Sequence, residues 1–206
     1  MGGRPAPLAM TTLRERMLIR RLQQRDERAF AEVMRLYQHK VYNVVYRMVG
    51  SREEAEDVAQ EVFVTVFKHV DTFRGDAKFS TWLYRIATNH TRNRMKYLGR
   101  RAHNHTSELN DAAERELADS QPTAMRPHIA GPDAVLEGLQ LERVVQQGIA
   151  ALEPEHREVL VLRDVENLSY DEIAAITGVA EGTVKSRLHR ARLALKEHMA
   201  KHLGQD

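Results

Sequence analysis

The sequence contains no cysteine, which excludes a disulfide framework, a thiolate zinc site and a cysteine nucleophile. Aromatic residues are only 6% of the 206, and 11 Gly with 6 Pro are too few for a collagen-like or low-complexity chain. No apolar run approaches the ~18 residues of a membrane-spanning helix. The opening MGGRPAPLAM lacks the apolar core of a signal peptide, and Ala6 breaks the myristoylation pattern after Gly2. Strand signals are also missing. These absences point to a soluble intracellular chain of the all-α class, with room for one domain or two small ones.

A net charge of +2 conceals an uneven distribution. Residues 1–101 carry a net +9, residues 102–132 a net −3 and residues 133–206 a net −4. Within the last block, 133–181 holds 3 basic against 11 acidic side chains, whereas 182–206 holds 6 against 2. Two basic zones therefore flank an acidic middle. Such zones suit a polyanion, nucleic acid above all, or a solvated surface of uneven charge.

The stretch 103–133 holds three prolines and no regular apolar period, so it reads as an interdomain linker with a short helix over 107–118. On either side the apolar residues recur three and four apart, over 13–50, 53–72 and 79–98, then over about 134–151, 154–165, 170–177 and 181–202. Ser51, followed by Glu53, Glu54 and Glu56, reads as a helix cap with acids in the first turn. Ser80 reads as a cap for a helix from Thr81. The expected architecture is a disordered tail over 1–12, a helical domain over 13–101, a flexible linker over 102–133 and a second helical domain over 134–206.

The most specific local signal is LSYDEIAAITGVAEGTVKSRLHRARLAL, residues 168–195. Ser169 and Glu172 have capping-box spacing, so a helix begins at Tyr170. Gly178 suits the left-handed conformation that ends it, and a second, basic helix opens at Ala180 or Glu181. Ala174 allows close approach, and Ile173, Val179, Val184 and Leu188 can fill the space between the two helices. This is the pattern of a helix-turn-helix, as opposed to an ordinary hairpin with a solvated basic face. In that motif the second helix enters the major groove. Lys185, Ser186, His189 and Arg190 then meet base edges, and Thr183, Arg187 and Arg192 hold phosphates.

A second signal spans residues 57–101. Asp57, Gln60 and Glu61 share one side of a helix, opposite a stripe of Val58, Val62, Phe63, Val66 and Phe67. That acidic side suits either a protein contact or a solvated surface. Farther on, Arg85, Asn89, Arg92 and Lys96 recur on one helical face, Arg94, Arg100 and Arg101 extend the charge, and no acid occurs between Asp76 and Glu108. Phe79, Trp82 and Tyr84 stand beside this stripe. Rings next to a positive track suit single-stranded nucleic acid, where bases stack and phosphates are followed, although Trp82 fits the core and Phe79 and Tyr84 fit either role.

Taken together, DxxQExF at 57–63, FRGDxxFxTWLYRIAxN at 73–89 and LSYDEIAAITGxxxGTVKSRLxRAR at 168–192 resemble bacterial RNA polymerase sigma factors of the extracytoplasmic-function type. This is the small class within the sigma-70 family that carries only domains 2 and 4. The resemblance covers about residues 13–101 and 134–203. It implies that Asp57, Gln60, Glu61 and Phe63 belong to the segment that docks on the clamp helices of core RNA polymerase. Arg74, Lys78, Phe79 and Ser80 match the loop that captures a flipped base of the −10 element, and Tyr84, Arg85, Asn89, Arg92 and Lys96 the helix that holds the separated strand. Lys185, Ser186, His189 and Arg190 would read the −35 element, with His189 where family members often carry a bulkier aromatic. The acidic half of domain 4 would meet the polymerase flap, and the acidic linker would occupy the RNA path. An anti-sigma factor is the further implied partner.

The implied mechanism uses binding energy to melt DNA. Phosphate contacts supply salt-dependent affinity, base-edge contacts set register, and an extruded base held in a pocket offsets part of the unstacking cost. Two tethered domains gain from effective concentration. No covalent chemistry, cofactor or metal is asked of the chain. Its one E-x-x-H, Glu153 to His156, is interrupted by Pro154, and a di-iron bundle needs two such motifs. The alternative reading is a free-standing helix-turn-helix regulator, which would ordinarily dimerise on a two-fold site.

Overall fold

The computed structural model describes residues 13–106 and 132–203, and among them the secondary structure is eight α-helices with no strand. The helix expected over 107–118, the tail over 1–12 and most of the proposed linker lie outside the described residues.

Helices α1 (Leu13–Gln23) and α2 (Glu27–Val49) divide the apolar pattern that the sequence presents as one run over 13–50. Arg25 adopts a left-handed φ of 64°, and Asp26 caps α2 by accepting the N–H groups of Arg28 and Ala29 at 2.8 and 3.2 Å. The apolar period continues on both sides of this joint, so periodicity does not register the break. Arg25 is held in place from a distance: its guanidinium donates to the Phe67 carbonyl, pairs with Asp71 and lies over the Phe67 ring. Gly50, with φ of 82°, ends α2 and returns its N–H to the Tyr46 carbonyl at 2.8 Å.

Helix α3 (Arg52–His69) starts as expected, with the Ser51 hydroxyl accepting the Glu54 N–H. A single 3₁₀ turn over Val70–Thr72 and a loop bent at Gly75 lead into α4 (Phe79–Thr106). Helix α4 begins at Phe79, so Ser80 sits within its first turn and does not cap it. It also runs past Arg101 into the segment read as linker.

The second group comprises α5 (Pro132–Ala150), α6 (Pro154–Leu160), α7 (Tyr170–Thr177) and α8 (Glu181–Leu203). Proline suits the first turns of α5 and α6, where its missing N–H has no intrahelical acceptor. The helix predicted over 154–165 is α6 followed by one widened π-type turn over Val161–Val165.

Two apolar cores result. The first lies among α1–α4 and buries Leu22, Val33, Val41, Val45, Val58, Val62, Phe63, Val66, Phe79 and Leu83. Each such side chain contributes roughly 1.5–3 kcal/mol relative to exposure. The second buries Ile149, Leu152, Val159–Leu162, Ile173, Ile176, Val184 and Leu188, and it borrows Val44 and Met48 from α2 and Tyr84 from α4. The two helical groups therefore share one apolar seam.

Candidate nucleic-acid interface

The helix-turn-helix forms from local chemistry. Ser169 accepts the Glu172 N–H while the Glu172 carboxylate accepts the Ser169 N–H, a complete capping box. Gly178, at φ of 76°, closes α7 and donates its N–H to the Ala174 carbonyl. Helix α8 then buries Val184, Leu188 and Ala191 against the core. Its outward side carries Lys185, Ser186, His189 and Arg190, all exposed, at the spacing of one helical face.

The flanking residues of α8 are tied within their own domain. Arg187 pairs with Glu155, and Arg192 donates to Asp164 at 3.0 Å. That bond raises the Arg192 pKa, despite partial desolvation. Thr183 is half-buried, its carbonyl accepting the Ser186 hydroxyl at 3.0 Å. The Lys185 ammonium sits 5.4 Å from the Tyr170 ring centroid, a cation–π distance that ties the first turns of α8 to α7.

On α3, Asp57, Gln60 and Glu61 are exposed and line an open hollow of about 540 Å³ together with Val64, Thr65 and His90. Glu61 is also engaged with α4: Arg94 donates to it at 2.8 Å and His90 lies 3.3 Å away. Arg94 reaches Glu54 at 2.6 Å as well, so it braces α3 and does not extend the basic stripe. Phe63 is 4% exposed and belongs to the core. Spacing put Phe63 in the apolar stripe opposite the acidic side, and packing keeps it there; only the resemblance had joined it to the docking segment.

The expected stripe on α4 divides in two. Arg85, Asn89 and Lys96 are exposed. Arg92 is covered by α6, and its guanidinium donates to both Glu158 oxygens, at 2.8 Å from Nη2 and 3.1–3.2 Å from Nε. The Glu158 side chain is only 7% exposed, so this charge depends on Arg92 for compensation.

The residues from the proposed base-capturing loop are similarly distributed. Arg74 is exposed and Ser80 half-buried. Phe79 is buried, its ring 5.5–5.7 Å from those of Phe73, Tyr37 and Trp82. It is a core residue here and offers no face for stacking. Tyr84 is buried too, with its hydroxyl donating to the Glu166 carboxylate. Burial first, and then that carboxylate, push the Tyr84 pKa far up, so the phenol stays a donor. The rings that adjoin the stripe in sequence thus point inward. Short-range spacing does not distinguish the two orientations.

Lys78 reaches across to α7 and donates to Glu172 at 2.7 Å. This bond raises the Lys78 pKa. On Glu172, burial acts in the opposite sense, but Lys78 and the Ser169 contacts outweigh it and hold the carboxyl below its usual range. Glu172 therefore has two roles, of which the sequence displays only the capping one.

Further cross-domain residues went unmarked by motif reading. Arg47 donates to Gln146 at 2.9 Å and Glu142 at 3.1 Å. Gln146 donates to the Tyr46 and Arg47 carbonyls, and Arg157 donates to the Met48 carbonyl. Those carbonyls belong to the last turn of α2; Tyr46 also accepts the Gly50 N–H of the helix's own cap, and the others lie where intrahelical donors run out. The C-terminal domain caps α2 from outside. The available signal was regional: a strongly basic first half and eleven acids over 133–181.

Comparison with known proteins agrees with both halves. The family model for Sigma-70 region 2 matches residues 33–101, and that for Sigma-70, region 4 matches residues 142–195. The ECF RNA polymerase sigma-E factor of Escherichia coli K12 is 39% identical over 183 residues, covering 89% of this chain and 93% of that protein. The ECF RNA polymerase sigma factor SigW of Bacillus subtilis is 36% identical over 185 residues, 88% of this chain and 94% of that protein. Among solved structures, CnrH in complex with the cytosolic domain of CnrY matches with a TM-score of 0.63 at 24% identity, covering 90% of this chain and 97% of that one. The sigma factor RpoE in complex with the anti-sigma factor NepR from Bartonella quintana also gives 0.63, at 22% identity over 82% of this chain and 96% of that one. These two establish likeness of fold. With two sigma regions in order and relatives aligned along most of their length, the chain belongs to the extracytoplasmic-function sigma factors of the sigma-70 family.

Proposed function

We propose a division of labour within this transcription initiation factor, which acts with core RNA polymerase at promoter DNA. The acidic side of α3, around Asp57, Gln60 and Glu61, docks on the clamp helices. The exposed Arg85, Asn89 and Lys96 on α4, joined by Arg92, track the separated strand of the −10 element, with Arg74, Lys78 and Ser80 at the adjoining loop. The outward face of α8, Lys185, Ser186, His189 and Arg190, reads the −35 element in the major groove. The observation that carries this reading is α8 itself. It buries Val184, Leu188 and Ala191 and leaves a continuous polar and basic face open.

The chain performs no covalent step in this account. It works in the cytoplasm, joining the nucleoid when bound to polymerase, and an anti-sigma factor is its regulatory partner. A free-standing regulator would bind promoter duplex without polymerase. The two sigma regions in order favour the polymerase-dependent reading.

The test is fluorescence anisotropy of the labelled chain titrated with bacterial core RNA polymerase. Tight binding is expected, weakened at least tenfold by Asp57→Ala/Gln60→Ala, a pair that leaves the Glu61–Arg94 contact in place. Absence of binding, with affinity for promoter duplex retained, would favour the free-standing regulator.

A further inference from the structure

The docking segment, as the motif presents it, draws its apolar residue from Phe63, which the fold buries. Protein interfaces place an apolar centre inside a polar rim. On α3 that centre is Val64. It is 51% exposed, whereas the other valines of the helix, Val58, Val62 and Val66, are fully buried. At about 100° per residue, Val64 projects within roughly 20° of Asp57, with Gln60 and Glu61 to either side. A β-branched residue on the open face of a helix is not rewarded by folding, since its helix propensity is below that of Ala, Leu or Lys and no core packs on it.

The hollow at Val64 has its far wall on a second helix. His90 of α4 lines it, with Nε2 3.0 Å from the Thr65 hydroxyl and Nδ1 3.3 Å from one Glu61 oxygen. Arg94 donates to the other Glu61 oxygen at 2.8 Å. These bonds draw Glu61 toward α4 and fix the His90 wall before any partner arrives, which lowers the ordering cost of binding. Asp57, exposed and without an ion pair among the described residues, stays on the rim. Given the docking reading of α3, we propose that Val64 is the apolar anchor of the polymerase contact and that His90 completes its pocket, so that the clamp helices seat on α3 and α4 together. A side chain of those helices enters the hollow of about 540 Å³ over Val64, and the polar rim excludes water around it.

Because the chain has no cysteine, Val64→Cys, His90→Cys and, on the strand face, Lys96→Cys each give it a single thiol. Alkylation of the full chain by a biotinylated maleimide is followed in its own gel band, with and without core RNA polymerase. Core should slow the reaction at least tenfold in Val64→Cys and His90→Cys and less than twofold in Lys96→Cys. Anisotropy of the labelled full chain with core then gives the affinity. Val64→Asp should weaken it at least tenfold and Val64→Ile should recover it to within threefold of wild type, with circular dichroism unchanged in both. If Asp57→Ala/Gln60→Ala weakens docking while Val64→Asp binds as wild type, or while Val64→Cys reacts as fast with core as without, the anchor is overturned and the docking face stands. Protection of Val64→Cys without protection of His90→Cys overturns the pocket shared by two helices. Unchanged affinity of Asp57→Ala/Gln60→Ala overturns the docking face itself, and the anchor with it.

Discussion

Helix α4 packs on α2 and α3 on one side and on the C-terminal domain on another, and the two contacts are built differently. Toward α2 and α3 it contributes Phe79, Leu83 and Ala87 to the first core, with Arg94 bridging Glu54 and Glu61 on the outside. Toward the C-terminal domain it contributes Tyr84 and the half-buried Met95 to the shared apolar seam, and charge adds Arg92 with Glu158 and, just before the helix, Lys78 with Glu172. The same pairing of bases on or beside α4 with facing acids occurs on both sides. Apolar backing distinguishes them. One contact belongs to the core of the first helical group, and the other mixes apolar and charged contacts across the two groups.

The largest expected effect breaks the first side. Leu83 is fully buried, and Leu83→Ala should cost about 3–5 kcal/mol through lost transfer energy and the cavity left behind. Thermal unfolding followed by the fluorescence of Trp82, which packs against this core, will register it. Met48→Ala sharpens the comparison at the shared seam. Met48 is 1% exposed, and its loss should cost about 2–4 kcal/mol. Hydrogen exchange should show the loss in the packing of α6 and α8 more than in α3. An equal effect on α3 would mean that the two cores act as one.

Smaller changes probe the polar contacts. Tyr84→Phe removes the hydroxyl that donates to Glu166 and should cost about 1–2 kcal/mol, measured by urea denaturation. Glu172→Gln should cost less than about 1 kcal/mol because Lys78 is 46% exposed and solvent screens the pair. Its contribution also follows pH. The lowered Glu172 pKa makes the pair's stabilisation full above the ordinary Glu range and lost as pH falls through the folded value. The raised Lys78 pKa keeps it full below the ordinary Lys range and lost as pH rises through the folded value. The pair is thus intact at neutral pH, and the cross-domain contact should weaken in acid, read by hydrogen exchange of α7.

The smallest predicted effect is local to α5 and α8. His198 packs where a Cβ on Gly148 would meet its ring at 2.9 Å, and its Nε2 is buried without a partner among the described residues. Desolvation, and then the nearby His202 and Lys201, lower its pKa. The neutral ring is therefore the favoured form, and its stabilisation, full above the ordinary value of 6.5, is lost as pH falls through the lowered one. Faster amide exchange in the last turns of α8 below pH 6.5 will detect this, and His198→Asn should remove the pH dependence.

The comparison also explains what the sequence made legible. Features fixed by neighbours in the chain were readable: the Ser169–Glu172 box, the Gly178 stop, the Ser51 cap and the stripe of Val58, Val62 and Val66. The joint at Arg25 was not, because its left-handed backbone is held by Phe67 and Asp71, more than forty residues away, without disturbing the local period. Phe79 and Tyr84 illustrate the same limit at the candidate site. Their spacing fits either an exposed functional face or the core, and only packing separates the two. The cross-domain acids were visible as a regional charge difference, but their partners depend on how the two groups dock.

The most direct test of the division of labour is permanganate reactivity of −10 thymines in complexes of core RNA polymerase with the full chain. Templates would differ only in their −35 segment, using one sequence selected by the wild-type chain and one scrambled. Arg190→Ala should open both templates alike, with −35 preference lost. Arg85→Ala/Asn89→Ala should keep the preference in binding and leave the thymines at least tenfold less reactive. If both variants lose opening and −35 preference to the same extent, α4 and α8 do not read separate elements and the account fails.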